Sequence, residues 1–162
     1  MVFVTVGTYI GGFNRLLKVV DQLVDQGVLR DVRAQIGPST YLPRYFVYER
    51  FLSAAQMHSH MEQCEFVVCH GGAATLNECL ESRKKIIVMP RMSAFAEVPD
   101  DHQMELVQFL TENNRVLMAV DVQSLKDKVE QVHNWEPQFV QEINPNRIAQ
   151  AIKEFIQKST AD

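Results

Sequence analysis

The stretch that decides the fold runs from Glu65 to Arg91 and reads EFVVC, HGGAATLNECLESRKK, IIVMPR. Glu65–Cys69 is a short apolar run followed by two glycines, and Ile86–Met89 is a second apolar run closed by a proline. The residues between the two runs have the composition of a helix. Strand, glycine turn, helix and strand together predict a βαβ unit, whose turn places backbone N–H groups at a helix N-terminus.

The glycine turn of this unit has the properties of an anion site. The first N–H groups of a helix are unpaired, and the helix dipole favours negative charge beside them. Gly71 and Gly72 let the backbone approach a phosphate, and His70 could donate to the same group. Thr75 lies one turn into the helix, and Glu78 follows on the same face, where a carboxylate can accept ribose hydroxyls. Taken singly these are ordinary surface residues, but as a set they favour the diphosphate and ribose of a nucleotide-sugar.

The rest of the chain alternates strand and helix patterns in the same way. This alternation predicts a doubly wound, mostly parallel, Rossmann-like α/β sheet, and the whole chain, 1–162, is expected to form one domain. Strands are predicted over Val2–Val6, Asp31–Ile36, Tyr45–Phe51 and Val116–Val120, and helices over Phe13–Gln26, Ala54–Gln63, Asp100–Thr111, Asp121–His133 and Asn146–Lys158.

Two further groups of residues should lie at the same edge of the sheet as the glycine turn at 70–72. Gly7 and Thr8 follow the first strand, but the spacing of their turn fits neither a dinucleotide fingerprint nor a Walker A loop, which disfavours NAD and ATP. Asp101, His102 and Gln103 open the helix that follows the fifth strand. They could surround a sugar with donors and acceptors, or serve only as a helix cap and a solvated first turn.

Composition narrows the class of protein. The net charge of −4 and the pI near 5.7 argue against a nucleic-acid surface. Three cysteines, an odd number lying near apolar runs, indicate buried free thiols in a reducing compartment. The N-terminus has no signal-peptide pattern and no apolar run approaches the ~20 residues of a membrane span, so a cytoplasmic protein is expected.

No metal or cofactor is expected. His58, His60, Cys64 and Cys69 suggest a metal site, but histidines two apart on a helix point to different faces and the cysteines look like core. The chain also contains no D-x-D pair to chelate a metal. A UDP-sugar would then be a substrate, and its leaving diphosphate would be stabilised by helix N–H groups and the helix dipole.

Several motifs, taken in this order, resemble one family. VFVTVGT at 2–8, FNRLLK at 13–18, CHGGAAT at 69–75, KKIIVMPR at 84–91 and DDHQ at 100–103 are similar to those of the small donor-binding subunits of two-component GT-B, family 28-like glycosyltransferases. Such subunits serve capsule and exopolysaccharide synthesis and the dolichol-linked UDP-GlcNAc transferase. The resemblance covers the chain from Met1 to about Val120.

The resemblance implies the C-terminal, donor-binding half of a GT-B enzyme, with a membrane-anchored partner subunit that carries the acceptor half. It implies an inverting transfer from UDP-galactose or UDP-GlcNAc to a lipid-linked polysaccharide precursor, at the cytoplasmic face of a membrane. By position, the residues that match the nucleotide-sugar-binding motifs are Gly7, Thr8, His70, Gly71, Gly72, Thr75, Glu78, Arg91, Asp101, His102 and Gln103.

Two questions stay open from the sequence. An inverting transfer needs a general base, for which His102 is the best local candidate unless the base lies on the partner. The predicted helix Asn146–Lys158 has an apolar face that could pack on its own sheet or dock the partner. The alternative function is a nucleotide-sugar-binding subunit that regulates or stabilises its partner without transferase activity of its own.

Overall fold

The computed structural model describes residues 1–139 and places six strands and five α-helices among them. The strands are β1 (Val2–Thr5), β2 (Val32–Gln35), β3 (Val47–Glu49), β4 (Phe66–Cys69), β5 (Lys85–Val88) and β6 (Leu117–Met118). The helices are α1 (Asn14–Asp25), α2 (Ala54–Gln63), α3 (Ala73–Glu81), α4 (His102–Glu112) and α5 (Val122–Val132), with a short 3₁₀ turn at Ser93–Phe95.

All six strands are parallel, and their order in the sheet is β3-β2-β1-β4-β5-β6. The chain therefore builds outward from β1 to β3, returns to place β4 beside β1, and then builds outward in the other direction. The gap beyond the carboxyl ends of β1 and β4 is the switch point of this topology, where open α/β sheets bind ligands. Thr5 and Cys69 are paired in register at this point, so the turns that follow them are neighbours.

The helices cover both faces of the sheet, which confirms the predicted doubly wound fold. Side chains alternate along β1: Val2 and Val4 enter one core cluster and Phe3 enters the other. The first cluster includes residues of α1 and α5, and the second includes residues of α2, α3 and α4. Burial on both faces explains why β1, β4 and β5 read as continuous apolar runs in the sequence.

The predicted elements at the two edges of the sheet are longer than the observed ones. β3 has three residues where Tyr45–Phe51 was predicted, and β6 has two where Val116–Val120 was predicted. Helix α4 begins at His102 rather than at Asp100, because the carboxylate of Asp101 is engaged in the preceding loop. The predicted helix Asn146–Lys158 lies outside the described residues.

A buried carboxylate fixes the long connection between β2 and β3. Asp21 of α1 is 2% exposed and accepts hydrogen bonds from the Tyr41 hydroxyl at 2.7 Å and from the backbone N–H groups of Arg44 and Tyr45 at 3.0 and 2.9 Å. The bond to Asp21 raises the pKa of the Tyr41 hydroxyl. Three donors around one carboxylate compensate its desolvation, so the loop has one defined path over α1.

The cysteines are free and buried, as the sequence predicts. Cys69 ends β4, and Cys64 and Cys79 lie in the same core cluster. Burial raises the pKa of the Cys69 thiol to about 12, and it also raises the pKa values of the other two thiols. Within residues 1–139, no helix is both long enough and apolar enough to span a bilayer.

Candidate functional site

The two predicted glycine turns meet at the switch point of the sheet. Gly7 follows β1 with a φ of +69°, and Gly71 follows β4 with a φ of +88°, so both adopt a backbone conformation that favours glycine. Gly37, at the end of β2, lies directly against the carbonyl oxygen of Gly7, and a Cβ there would collide with it. The backbone of these turns is therefore closely packed at the carboxyl edge of the sheet. A phosphate that approaches such a surface can contact several backbone N–H groups.

The imidazole of His70 fills the space between these turns. Its ring lies so close to Gly7 that a Cβ on that glycine would be 2.6 Å from the ring Cε1, and a Cβ on Gly72 would overlap the ring Nε2. The ring is 6% exposed, and its Nδ1 lies 3.4 Å from the carbonyl oxygen of Thr5. One buried side chain thus requires both glycines, and the positive φ of Gly7 requires that glycine independently.

Burial makes His70 a neutral side chain. Desolvation, with a further contribution from the positive charge of Arg91, lowers the pKa of His70 to about 4. If Nδ1 donates to Thr5, the neutral ring has only an acceptor at Nε2. The expected donation from His70 to a diphosphate then requires the other tautomer, so the hydrogen bond to Thr5 favours a supporting role for this residue.

The N-terminus of α3 is open for an anion. Gly72 is its N-cap residue and provides no side-chain hydrogen bond, which leaves the first helical N–H groups, those of Ala73 to Thr75, without a capping group. Among residues 1–139, no hydrogen bond or ion pair occupies the side chain of Thr75 or that of Glu78, and both are partly exposed. This arrangement offers donors to a diphosphate and, one turn further on, a carboxylate to a ribose.

Arg91 lies beneath the first glycine turn rather than on its surface. Its side chain is 1% exposed, and the guanidinium donates to the carbonyl oxygens of Val6 at 2.7 Å and Gly12 at 3.2 Å, one at each end of the turn. It also stacks against the rings of Tyr9 and Phe13. Arg91 therefore fixes the turn and brings a buried positive charge close to it, while direct contact with a ligand stays a prediction.

The predicted sugar-contacting segment is divided by the structure. The carboxylate of Asp101 accepts from both the N–H and the hydroxyl of Ser93, each at 2.8 Å, and these bonds lower its pKa. The carboxylate thus closes the loop after β5, and its contact with a sugar stays a prediction. Gln103 differs, because its Oε1 is buried and has no hydrogen-bond partner among the described residues. A buried acceptor without a partner is costly, and a ligand hydroxyl would satisfy it.

His102 has a carboxylate beside each ring nitrogen. Nε2 lies 3.9 Å from Asp100 and Nδ1 lies 3.6 Å from Glu105, while the side chain is about half exposed. A general base needs a free nitrogen lone pair aimed at the acceptor hydroxyl, and neither nitrogen is held in that way here. The catalytic role of His102 stays a prediction.

Comparison with known proteins places this geometry in a family. The model of the glycosyltransferase family 28 C-terminal domain matches residues 1–159. The chain belongs to this family. A search of curated proteins finds no match to this chain.

Solved structures with the same fold include chains more than twice as long as the matched region and a chain of similar length. The family 28 domain matches a glycotransferase of kitacinnamycin at a TM-score of 0.58 and 16% identity, and MurG of Acinetobacter baumannii at 0.57 and 15%. The two matches include 95% and 82% of this chain, but only 38% and 40% of the solved chains. A structure of ALG13 matches at 0.59 and 16%, over 90% of this chain and 91% of that one.

These matches confirm the predicted resemblance and the fold of a GT-B C-terminal domain. The family 28 domain is thus a nucleotide-sugar-binding domain of the glycosyltransferase type. It spans about two fifths of the length of the first two solved chains that it matches.

Two buried hydroxyls that support the first turn of the family 28 domain were missed. The Thr5 hydroxyl accepts from the N–H of Gly7 at 3.3 Å and donates to Gln35 at 2.8 Å. Ser39 accepts from the N–H of Phe13 at 2.9 Å, and its backbone packs against Gly12. A polar residue inside an apolar strand was a usable signal for Thr5, whereas nothing in the sequence connects Ser39 to a residue 26 positions away.

The residues considered for a metal site do not converge. His58 lies 3.4 Å from Glu62 on the surface of α2, and His60 stacks on the ring of Phe3. Cys69 is buried in the core below the sheet edge. Across the described part of the chain, no group of three or more potential metal ligands is present.

Proposed function

We propose that the chain is the donor-binding subunit of an inverting, metal-independent glycosyltransferase. It would take a sugar from UDP-galactose or UDP-GlcNAc and work with a membrane-anchored subunit that holds a lipid-linked polysaccharide precursor. The observation that carries the proposal is the meeting of two glycine turns beside the open N-terminus of α3, with the carboxylate of Glu78 one turn along that helix.

Each part of a UDP-sugar finds a matching group at this edge. The diphosphate would accept from the N–H groups at the start of α3, where the helix dipole and the buried charge of Arg91 also favour an anion. The ribose would donate to Glu78, and a sugar hydroxyl would donate to the buried Oε1 of Gln103. Thr8 lies on the turn after β1 and Thr75 in the first turn of α3, and both would be available for further phosphate contacts.

The transfer step needs two things from the complete enzyme. As the acceptor hydroxyl attacks the anomeric carbon, the bond from that carbon to the diphosphate breaks and negative charge grows on UDP. The N–H groups of α3 would stabilise that charge without a metal. The proton of the hydroxyl would pass to a base, which is His102 or a residue of the partner.

A domain of this fold can make up nearly all of a solved chain. The solved chain of ALG13 consists almost entirely of a domain similar to this one, since nine tenths of it are matched. The larger glycosyltransferases that share the fold contain more than twice the matched length. A solved chain that is almost entirely this domain supports the proposal that a separate, membrane-anchored subunit carries the acceptor half.

Calorimetric titration of the purified chain tests the proposal. UDP, UDP-galactose, UDP-GlcNAc and NAD are titrated separately, with EDTA present to remove divalent metals. Uridine nucleotides should bind and NAD should not, and the tighter of the two sugar nucleotides identifies the donor. Absence of uridine-nucleotide binding, both alone and with the partner subunit co-expressed, would refute the proposal. Binding without transfer by the pair would favour a regulatory subunit.

A further inference from the structure

A second guanidinium, that of the partly buried Arg15 at the start of α1, joins three elements at the carboxyl edge. Its Nη2 donates to the carbonyl oxygen of Pro90 after β5 at 2.8 Å, and its Nη1 donates to that of Val120 after β6 at 2.9 Å. Its Nε and Nη2 also bond the two carboxylate oxygens of Glu97 at 2.9 and 2.8 Å. Only Arg offers enough donors in a fixed plane for all of these bonds.

Glu97 lies at the middle of the loop that carries the sugar-contacting segment. Besides the bidentate pair with Arg15, its Oε2 accepts from the N–H of Met92 at 3.0 Å. Both partners of the pair are mostly buried, with side chains 18% and 12% exposed. A bidentate pair sheltered from water is stronger and more specific in its geometry than an exposed surface ion pair.

The path of this loop requires such a support. Ala96, directly before Glu97, has a φ of +54°, a left-handed conformation that costs energy in a residue with a Cβ. Phe95 is 56% exposed, and its ring stacks on the Arg15 guanidinium at 4.7 Å. Three consecutive residues are thus involved: Phe95 in the cation–π contact, Ala96 in the strained conformation and Glu97 in the ion pair. Since two of the three contact Arg15, the loop conformation depends on that side chain.

We infer that Arg15 and Glu97 are a positioning pair for the donor sugar. The pair fixes the loop from Met92 to Asp101, and this loop sets the place of Gln103 relative to the glycine turns. Among residues 1–139, no hydrogen bond or ion pair joins the loop to the α3 N-terminus or to Glu78, so the pair should act on the sugar and not on the UDP part. The inference rests on the proposed function, because it assigns the sugar to this side of the site.

The test uses Glu97→Gln and Arg15→Lys, with Glu65→Gln as the matched control. Glu65 also bonds a basic side chain at 2.8 Å, that of His133, but it precedes β4 at the opposite edge of the sheet. Calorimetry with UDP and with the preferred UDP-sugar should show UDP affinity unchanged and UDP-sugar affinity lowered about 10-fold or more in both variants. The double variant should be no worse than Arg15→Lys alone, because that substitution already removes the bidentate pair with Glu97.

A second measurement does not depend on the ligand. In the chain without nucleotide, amide hydrogen exchange of Met92 and Ala96 should accelerate about 10-fold or more in Glu97→Gln, and not in the control. Equal losses for UDP and UDP-sugar, or unchanged exchange, would overturn the inference while the proposed function stands. If the unsubstituted chain binds no uridine nucleotide, either alone or with the co-expressed partner, the proposed function fails, and the inference about the sugar fails with it.

Discussion

At the scale of single residues, His70 shows how a polar side chain can serve a site from below. The imidazole separates the two glycine turns, and the glycines exist in part because the ring occupies the space that a Cβ would need. The ring is buried and close to the charge of Arg91, so its protonation is unfavourable. Its protonation state therefore affects the stability of the fold.

This gives a prediction about pH. The folded-state pKa of about 4 lies below the unfolded value of 6.5, so between these values the unfolded chain binds the proton more readily. The contribution of His70 to stability is complete above pH 6.5 and decreases as the pH falls through 4, by about 3 kcal/mol in total. Urea unfolding of the chain and of His70→Asn is measured from pH 7 to 4. The free energy of unfolding should decrease less steeply with falling pH in the variant.

The exposed His133 supplies the control for that measurement. Its ring is half exposed and bonded to Glu65 at the other edge of the sheet. His133→Asn should leave the steep decrease below pH 6.5 in place. If His70→Asn and the unsubstituted chain lose stability in parallel, the neutral buried imidazole is not the cause.

A second prediction at this scale concerns Glu78. Glu78→Gln should weaken UDP and UDP-sugar alike, by about 1.5–3 kcal/mol, because charge-assisted bonds to the ribose are lost. Glu81→Gln is the matched control on the same helix, since Glu81 is exposed and, within residues 1–139, bonds only the Asn77 amide at 2.8 Å. Titration calorimetry measures both. Unchanged UDP affinity in the Glu78 variant would exclude the ribose contact.

The sequence predicted these residues better than it predicted their roles. The motif at 70–72 was correctly placed at the switch point because strand ends and glycine turns are local patterns. Whether the imidazole points outward to a ligand or inward to Thr5 depends on a partner 65 residues away. Arg15 and Glu97 are 82 residues apart, and no local pattern shows that such residues meet.

At the scale of elements, the close approach of β1, β4 and α3 depends on small residues. Gly72 has an ordinary φ of −67°, so a side chain there is excluded by the ring of His70 and not by the backbone. The ring has little room to move, because Gly7 also lies close to its Cε1 and Nε2 atoms. The imidazole of His70 therefore determines the distance between the N-terminus of α3 and the end of β1.

Gly72→Ala tests this contact. The added methyl group should lower the free energy of unfolding by about 1–3 kcal/mol, the usual cost of overpacking a filled space. In the background of His70→Ala the same substitution should cost much less, since the obstructing ring is absent. Denaturant midpoints of the two single variants and the double variant form the cycle. Additive costs would show that the ring and the methyl group do not compete.

Element boundaries were predicted well inside the sheet and poorly at its edges. The central strands β1, β4 and β5 have apolar side chains on both faces, which is a strong signal. The edge strand β3 has exposed residues at Val47 and Glu49, so its pattern is weak and its length was overestimated. The start of α4 was misplaced because the bond from Ser93 to Asp101 draws that residue into the loop.

At the scale of the whole molecule, the described domain contains a candidate donor site and two covered sheet faces. The predicted C-terminal helix, 146–158, lies beyond these residues, and its two proposed roles differ in their consequences. A helix that packs on its own sheet contributes to stability, whereas a helix that docks a partner contributes to assembly. The two roles are separable by truncation.

A chain ending at Phe139 makes the distinction. If the segment docks the partner, the truncated chain should keep its denaturant midpoint and its UDP affinity but lose co-purification with the membrane subunit. A drop in the midpoint together with retained co-purification would contradict docking and assign the segment to the domain itself. The circular dichroism spectrum of the truncated chain serves as a control for gross unfolding, because it should still show the helices and strands of residues 1–139.

The three buried thiols give the chain a built-in reporter. Cys64, Cys69 and Cys79 all lie in the core cluster between the sheet and α2, α3 and α4, and their raised pKa values keep them in the unreactive thiol form while the domain is closed. An alkylating reagent can react only when this layer opens. The rate of labelling therefore measures how often the face behind the candidate site comes apart, with no added probe and in any of the variants described above.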